Sequence, residues 1–182
     1  MKRILLINPA HSWIWKMPNA GIAYIAAVLE NMGIEVKVID CQIRKDYKQR
    51  IKTILKDYST VGISVNAGTV SSALEISELI RNESSQTRII MGGPHPSVIY
   101  ESLIPRYTDI VVLGEGEDTI FELMQTNNLS RVKGIAYGDD GFIKVNPPRP
   151  FITDLDRLNY PAWHLFDLKN YTFGSVQMPF VP

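Results

Sequence analysis

The strongest constraint on the fold is a regular alternation of short β-branched runs with longer segments of helical periodicity. Five apolar runs of strand length span residues 3–7, 34–39, 60–64, 87–91 and 109–113, and each is followed within two residues by Gly, Asn, Asp or Pro. Between them, apolar residues recur at helical spacing within 47–58, 70–80 and 120–124. Residues 20–32 are apolar nearly all round and stop at Gly33, which predicts a deeply buried helix.

Strands that alternate with helices are typical of parallel strands joined by right-handed crossovers, with helices on both faces of the sheet. We therefore predict a doubly wound α/β fold, Rossmann-like, whose five-stranded parallel sheet favours the flavodoxin-like strand order. Residues 132–137 and 142–145 predict a C-terminal hairpin that extends or flanks the sheet edge. Prolines break regular structure after residue 146, so residues 1–146 are predicted to form the domain and 147–182 a linker tail.

Charge and cysteine content exclude several classes of function. Lysine plus arginine total 19 and aspartate plus glutamate total 19, so no net field attracts nucleic acid or an anionic membrane. Cys41 is the only cysteine, so this chain forms neither an internal disulfide nor a thiolate metal cluster by itself. The longest apolar stretch, 20–29, is about half of the ~20 residues that a membrane span needs. We expect a cytoplasmic protein without a targeting segment.

Ligands of open α/β sheets bind outside the carboxyl ends of the strands, which directs attention to the loops there. The first of these loops contains Trp13 and Trp15, which would cover a ligand, a partner or the sheet edge, or pack on the domain. Residues 64–69, after the third strand, are small and polar. They would either contact an extended ligand or form an ordinary strand-to-helix turn.

The loops after the fourth and fifth strands are rich in glycine. Residues 92–97 present paired glycines and two prolines, a rigid main-chain platform suited to a large flat cofactor. Residues 114–119 imitate a dinucleotide fingerprint, but Thr119 replaces the third glycine and the acidic side chains would repel a pyrophosphate. A nicotinamide or flavin dinucleotide is therefore disfavoured. Glu117 and Asp118 also complement the positive end of the next helix.

The order and spacing of these motifs resemble the N-terminal cobalamin-binding domain of cobalamin-dependent radical S-adenosylmethionine enzymes. The likeness covers nearly the whole chain and runs through Asn8-Pro9, the apolar helix at 20–30, the glycines at 92–93 and residues 109–119. Residues 151–168 resemble the linker that precedes the catalytic barrel in this family.

The resemblance implies that this chain holds cobalamin for a methyltransferase-type enzyme. The expected partner is a C-terminal radical S-adenosylmethionine domain of the same protein, which would use S-adenosylmethionine and a [4Fe-4S] cluster. That cluster requires a Cys-x-x-x-Cys-x-x-Cys loop, which a chain with Cys41 alone does not contain. We therefore expect this chain to be the cofactor-holding part of a longer enzyme, without catalytic residues of its own.

Cobalamin domains resemble one another at three loops, of which this sequence keeps two. Residues 64–66 match Ser-x-Leu or Ser-x-Thr in form, with Asn66 at the third position, and residues 92–93 match the glycine pair. The Asp-x-His-x-x-Gly motif is absent, because Asn8 and Trp13 occupy its first and last positions and His11 is out of register. The resemblance then implies no histidine-ligated cobalt, and a lower cobalt face left to water or a loop residue.

The implied placement puts the corrin on the carboxyl ends of the strands and its nucleotide tail along the loops at Ser64 and Gly92. The candidate cofactor-binding residues are Asn8, Trp13, Ser64, Val65, Asn66, Gly68, Thr69, Gly92, Gly93, Pro94, His95, Glu115, Gly116 and Glu117.

Two alternatives stay open. A cofactor-free Rossmann-like scaffold or interaction domain would explain the missing histidine motif. Another flavodoxin-like protein is disfavoured, because a phosphoacceptor receiver needs acidic residues where this chain has Asn8 and Asn66. A flavin carrier is disfavoured too, because the loop after the first strand lacks a phosphate cradle rich in Ser and Thr.

Overall fold

A seven-stranded sheet forms the centre of the molecule in the computed structural model, which describes residues 2–11, 16–173 and 176–177. The strands lie in the order β2-β1-β3-β4-β5-β6-β7. The first five pair in parallel, and the last two pair antiparallel at one edge. They are β1 (Arg3–Asn8), β2 (Glu35–Asp40), β3 (Thr60–Ser64), β4 (Arg88–Gly92), β5 (Ile110–Val112), β6 (Ile135–Asp139) and β7 (Phe142–Val145).

The described residues also form five α-helices. They are α1 (Ala20–Asn31), α2 (Tyr47–Ile54), α3 (Val70–Glu83), α4 (Pro96–Leu103) and α5 (Glu117–Gln125). Asn19 caps the N-terminus of α1, and its side-chain oxygen accepts a hydrogen bond from the Ile22 amide at 3.1 Å. It ends before Gly33, whose φ of +72° is the left-handed conformation that terminates helices.

Helices cover both faces of the sheet, and each face has its own core. Successive side chains of a strand point to opposite faces, so Ile4 and Leu6 pack with α1 and α5. Leu5 and Ile7 pack with α2, α3 and α4 on the other side. We call these the α1/α5 face and the α2–α4 face.

This architecture confirms the doubly wound α/β prediction, including the flavodoxin-like order of the parallel strands. The predicted hairpin is β6 and β7, and it extends the sheet edge. The predicted count of five strands is therefore too low for the whole sheet, because the hairpin pairs directly with β5. No helix within the described ranges is long and apolar enough to cross a membrane.

Helix α4 lies where the sequence analysis expected a stiff loop. Its first residue is Pro96, a position where the missing amide hydrogen of proline costs nothing because that hydrogen has no partner within the helix. Pro96 is thus compatible with the first turn of α4.

The described part of the predicted linker tail packs on the α1/α5 face. Three of its side chains, Ala162, Phe166 and Tyr171, are buried in the same core as α1 and α5. The Ala162 amide donates to the carbonyl of Ala23 in α1 at 3.0 Å. We call residues 147–173 the C-terminal segment. It ends in a short strand, β8 (Thr172–Phe173), which pairs with β9 (Val176–Gln177).

Candidate functional site

A cavity of about 270 Å³ opens at the carboxyl ends of the parallel strands, on the α1/α5 face. Its walls are main chain and aliphatic side chains, to which Ser64, Glu115 and Glu117 add polar groups. The lining residues are Leu6, Gly21, Ile22, Ile25, Gly62, Ile63, Ser64, Ile90, Gly92, Gly93, Val112, Gly114, Glu115, Gly116, Glu117 and Ile120.

The cavity exists because the central strand β3 has no bulky side chain on the α1/α5 face. Thr60, Gly62 and Ser64 point to that face, whereas Val61 and Ile63 point to the other. A Cβ atom built on Gly62 would lie 2.7 Å from Cδ2 of Leu6, which leans into the space above the glycine. A glycine inside a β-branched run is the sequence signal that could have located this cavity.

Two adjacent glycines at the end of β4 have different structural roles. Gly93 has φ +106°, and a Cβ there would lie 2.5 Å from the backbone oxygen of Val65, so the close approach of two main chains requires glycine. A Cβ on Gly92 would lie 3.7 Å from Cβ of Val112, an ordinary contact. Gly93 therefore shapes the turn, and Gly92 keeps the cavity mouth clear.

Ser64 is the predicted site residue with the clearest polar environment. Its Oγ accepts a hydrogen bond from Nδ2 of Asn19 at 3.1 Å, and the same amide group donates to Oδ1 of Asn8 at 3.1 Å. Asn8 in turn donates to Oδ2 of Asp40 at 2.9 Å. Ser64 thus lines the cavity while its hydroxyl is held by the half-buried Asn19, which is itself bonded to the buried Asn8.

Asp40 is a buried carboxyl group surrounded by donors. Burial raises its pKa above the ordinary value, and hydrogen bonds from Asn8, the Tyr171 hydroxyl and the Gln42 amide partly offset that rise. The Tyr171 hydroxyl lies 2.7 Å from Oδ2 of Asp40. Burial and the nearby Asp40 carboxyl also raise the pKa of Tyr171, so its hydroxyl stays protonated and donates.

The other rim of the cavity is acidic and is fastened to the C-terminal segment. Glu115 Oε2 accepts a hydrogen bond from the Ile152 amide at 2.6 Å. Asp118 accepts two hydrogen bonds from Arg157, at 3.0 and 2.6 Å, and this guanidinium lowers the pKa of the Asp118 carboxyl. The C-terminal segment therefore lies against the first turn of α5.

The structure brings six of the predicted residues together around the cavity. They are Ser64, Gly92, Gly93, Glu115, Gly116 and Glu117. Asn8 lies beneath them as a partner of Asn19, and Val65 belongs to the core of the α2–α4 face. Pro94 and His95 precede α4 and do not line the cavity. Trp13 lies outside the described residues, as does Trp15.

Residues 66–69 form a closed turn. The Asn66 amide donates to Oγ1 of Thr69 at 2.9 Å, and the Gly68 amide donates to Oδ1 of Asn66 at 2.9 Å. Thr69 is buried and bonds back to Asn66. These contacts match the strand-to-helix turn that the sequence also allowed, although the Thr69 side chain does not cap α3.

The cavity also uses residues that sequence analysis did not select. Gly21, Ile22 and Ile25 come from the face of α1 that covers the sheet, and Ile120 comes from α5. Their apolar side chains predict core packing, which is why the sequence gives them no functional signal.

Comparison with known proteins supports the cobalamin resemblance. Residues 15–124, more than half of the chain, match the family model of the B12 binding domain. An uncharacterized methyltransferase of Pyrococcus horikoshii is 29% identical over 97% of this chain and 41% of its own length. The anaerobic magnesium-protoporphyrin IX monomethyl ester cyclase of Synechocystis is 27% identical over 94% of this chain and 37% of its own length.

A solved structure shares the fold. The radical S-adenosylmethionine methyltransferase TsrM of Kitasatospora setae, with cobalamin and a [4Fe-4S] cluster bound, superposes with a TM-score of 0.67 and 22% identity. The match covers 81% of this chain and 31% of that protein. The chain spans about two fifths of the length of the two curated relatives.

Proposed function

The chain belongs to the B12-binding domain family, and from that premise we propose that it holds cobalamin with the base of its nucleotide tail in the cavity of the α1/α5 face. The corrin would lie across the mouth of the cavity, at the ends of β3 and β4. The observation that carries this proposal is the glycine-lined gap above Gly62, which opens where α/β sheets bind their ligands.

The size and lining of the cavity fit the tail of the cofactor. At about 270 Å³ it lies near the lower end of ligand-pocket volumes, so it suits one flat ring system and not a whole macrocycle. Its aliphatic walls favour an aromatic base, and its acidic rim disfavours a phosphate inside. The corrin therefore stays at the mouth, where Gly92 and Gly93 present main chain.

Ser64 would orient the base. Its Oγ already accepts from Asn19, so the hydroxyl hydrogen is left to donate to an acceptor on the ligand within the cavity. When bound, cobalamin supplies a cobalt centre that carries a methyl group. The chain contributes the position of the cofactor and the exclusion of water from its tail.

For the whole protein, we infer a radical S-adenosylmethionine enzyme that transfers a methyl group. Methyl transfer is supported by the name of the Pyrococcus relative and by that of the Kitasatospora protein, which is a radical S-adenosylmethionine methyltransferase. A further domain is supported by the length of the relatives, of which this chain covers about two fifths. In this proposal residues 1–146 hold cobalamin, and residues 147–182 connect to a C-terminal domain that binds S-adenosylmethionine and a [4Fe-4S] cluster. A cofactor-free scaffold remains the alternative, and it predicts a chain that does not retain cobalamin.

Retention of the cofactor tests the proposal directly. The purified chain is mixed with hydroxocobalamin and desalted, and its visible spectrum is recorded. We expect the corrin bands to stay with the protein. A colourless protein would contradict the proposal and support the scaffold.

Filling the cavity mouth provides the matched test. Gly92→Val places a side chain in the mouth without backbone strain, and we expect at least a roughly tenfold weaker affinity with an unchanged circular dichroism spectrum. Gly138→Val is the control, because Gly138 lies in β6 away from the cavity and its Cβ would lie 3.4 Å from Ile104. Equal retention by both variants would show that the cavity is not the site.

A further inference from the structure

A continuous line of hydrogen-bonded side chains joins the C-terminal segment to the cavity. It runs from Tyr171 through Asp40, Asn8 and Asn19 to Ser64, with donor–acceptor distances of 2.7, 2.9, 3.1 and 3.1 Å. We call it the polar chain. Tyr171, Asp40 and Asn8 are all buried, so water does not compete for the two bonds that Asp40 accepts from Tyr171 and Asn8, whereas Asn19 and Ser64 at the cavity end are half-buried.

Every bond in the polar chain has a fixed direction. The Ile22 amide can only donate, so the Asn19 atom it contacts is the oxygen, and Nδ2 of Asn19 must face Asn8 and Ser64. Asn8 then presents its oxygen to Asn19 and its Nδ2 to Asp40. Since the carboxylate accepts at that end, the Tyr171 hydroxyl must donate to it.

The direction of the bonds has a consequence for Ser64. Because Asn19 uses a donor toward Oγ of Ser64, that oxygen is an acceptor within the polar chain and its hydrogen turns away from Asn19. The orientation of this hydroxyl thus depends on where the Asn19 amide lies. That position depends in turn on Asn8 and on the Asp40 carboxylate that binds Asn8 and Tyr171 together.

The C-terminal segment is held at both sides of Tyr171. Phe166 is buried in the core, and the Thr172 carbonyl accepts a hydrogen bond from the Lys16 amide at 2.8 Å. Lys16 lies in the loop that leads to Asn19 and α1. The bond between Lys16 and Thr172 therefore links the C-terminal segment to the loop that places Asn19.

We propose that Tyr171 and Asp40 are positioning residues for Ser64, so that docking of the C-terminal segment increases the affinity of the cavity for the cobalamin tail. This proposal rests on the proposed function. It adds that residues outside the B12-binding match, which ends at residue 124, take part in cofactor affinity.

A double-mutant cycle on the full chain tests the coupling, with hydroxocobalamin affinity as the readout. Tyr171→Phe keeps the ring in the core and removes only the hydroxyl. We expect a Kd about three- to tenfold higher than in the parent, and no further increase when Tyr171→Phe is added to Ser64→Ala. A role in folding alone would lower the melting temperature without making the change in Kd depend on Ser64.

Tyr137→Phe is the matched control. Tyr137 is buried in the same core as Tyr171 but is not part of the polar chain, and we expect its Kd to equal that of the parent. If Tyr171→Phe fails to fold, Asp40→Asn is tested in its place. The new amide NH2 would face another donor in either orientation, the Gln42 amide on one side or Asn8 and the Tyr171 hydroxyl on the other. We expect Asp40→Asn to raise the Kd for hydroxocobalamin in the parent and to cause no further increase in the Ser64→Ala background.

The outcomes separate this proposal from the one before it. A parent chain that does not bind cobalamin overturns the proposed function. A parent that binds, with Tyr171→Phe and Ser64→Ala acting additively, overturns only the positioning role. Ser64→Ala with unchanged affinity overturns that role as well, because the polar chain would then end at a residue that does not contact the cofactor.

Discussion

At the scale of single residues, Gly62 determines whether the cavity exists. Gly62→Ala would place a methyl group 2.7 Å from the end of the Leu6 side chain, which is flexible and can move into the cavity. We expect the free energy of unfolding to change by less than about 1 kcal/mol, because alanine is also the better strand residue. Cobalamin affinity should fall by roughly tenfold or more. Urea unfolding and a spectral titration measure the two quantities on one preparation.

Gly93 gives the opposite result, because its contacts are with backbone. An alanine there would adopt a φ of +106° and crowd the Val65 carbonyl at 2.5 Å. We expect Gly93→Ala to destabilise the fold by about 2 kcal/mol or more, whether or not cofactor is present. A melting temperature equal to that of the parent would show that this turn relaxes at little cost.

At the scale of elements, the salt bridge between Asp118 and Arg157 fastens the C-terminal segment to α5. The pKa of Asp118 is lowered in the folded state, so the bridge stabilises the fold above the unfolded pKa of 3.8, and this contribution is lost as pH falls through the folded pKa. Because both side chains are about one third or more exposed, solvent screens the bridge and we expect only a small contribution to stability at neutral pH. Carbon-13 NMR should show Asp118 titrating below 3.8, and Arg157→Gln should return its midpoint toward that value.

Sequence patterns predict the regular elements well and the irregular ones poorly. The β-branched runs and the stripes of α1, α2, α3 and α5 follow from periodicity, because burial of one face requires it. Helix α4 was missed because residues 92–97, which include its first residues, have the composition of a rigid loop. The packing of the C-terminal segment was missed because its buried residues have no period. For the site, the pair Gly92 and Gly93 marked the cavity mouth, and Gly62 within its β-branched run was a usable signal for the floor. The polar chain, in contrast, joins residues that meet only in the folded molecule.

At the scale of the whole molecule, the cavity is a gap in the packing of the α1/α5 face that the cofactor would fill. A ligand that binds only the folded chain stabilises it by mass action, by about 2.7 kcal/mol at roughly a hundred times Kd. We therefore expect the melting temperature to rise with hydroxocobalamin concentration for the parent chain. The Gly92→Val variant, with its obstructed mouth, should show a smaller rise at the same hydroxocobalamin concentrations. A parent melting temperature independent of cobalamin would argue against binding in the core.

Because each face of the sheet has its own core, substitutions on the two faces should have different effects. Along β3, Val61 and Ile63 face one core and Gly62 faces the other. A saturation mutagenesis library of β3 can be scored separately for protein abundance in cells and for cobalamin binding. We expect the property that is most affected to alternate from one position of the strand to the next. Substitutions of Val61 and Ile63 would then reduce folding stability, whereas substitutions of Gly62 between them would reduce cobalamin binding.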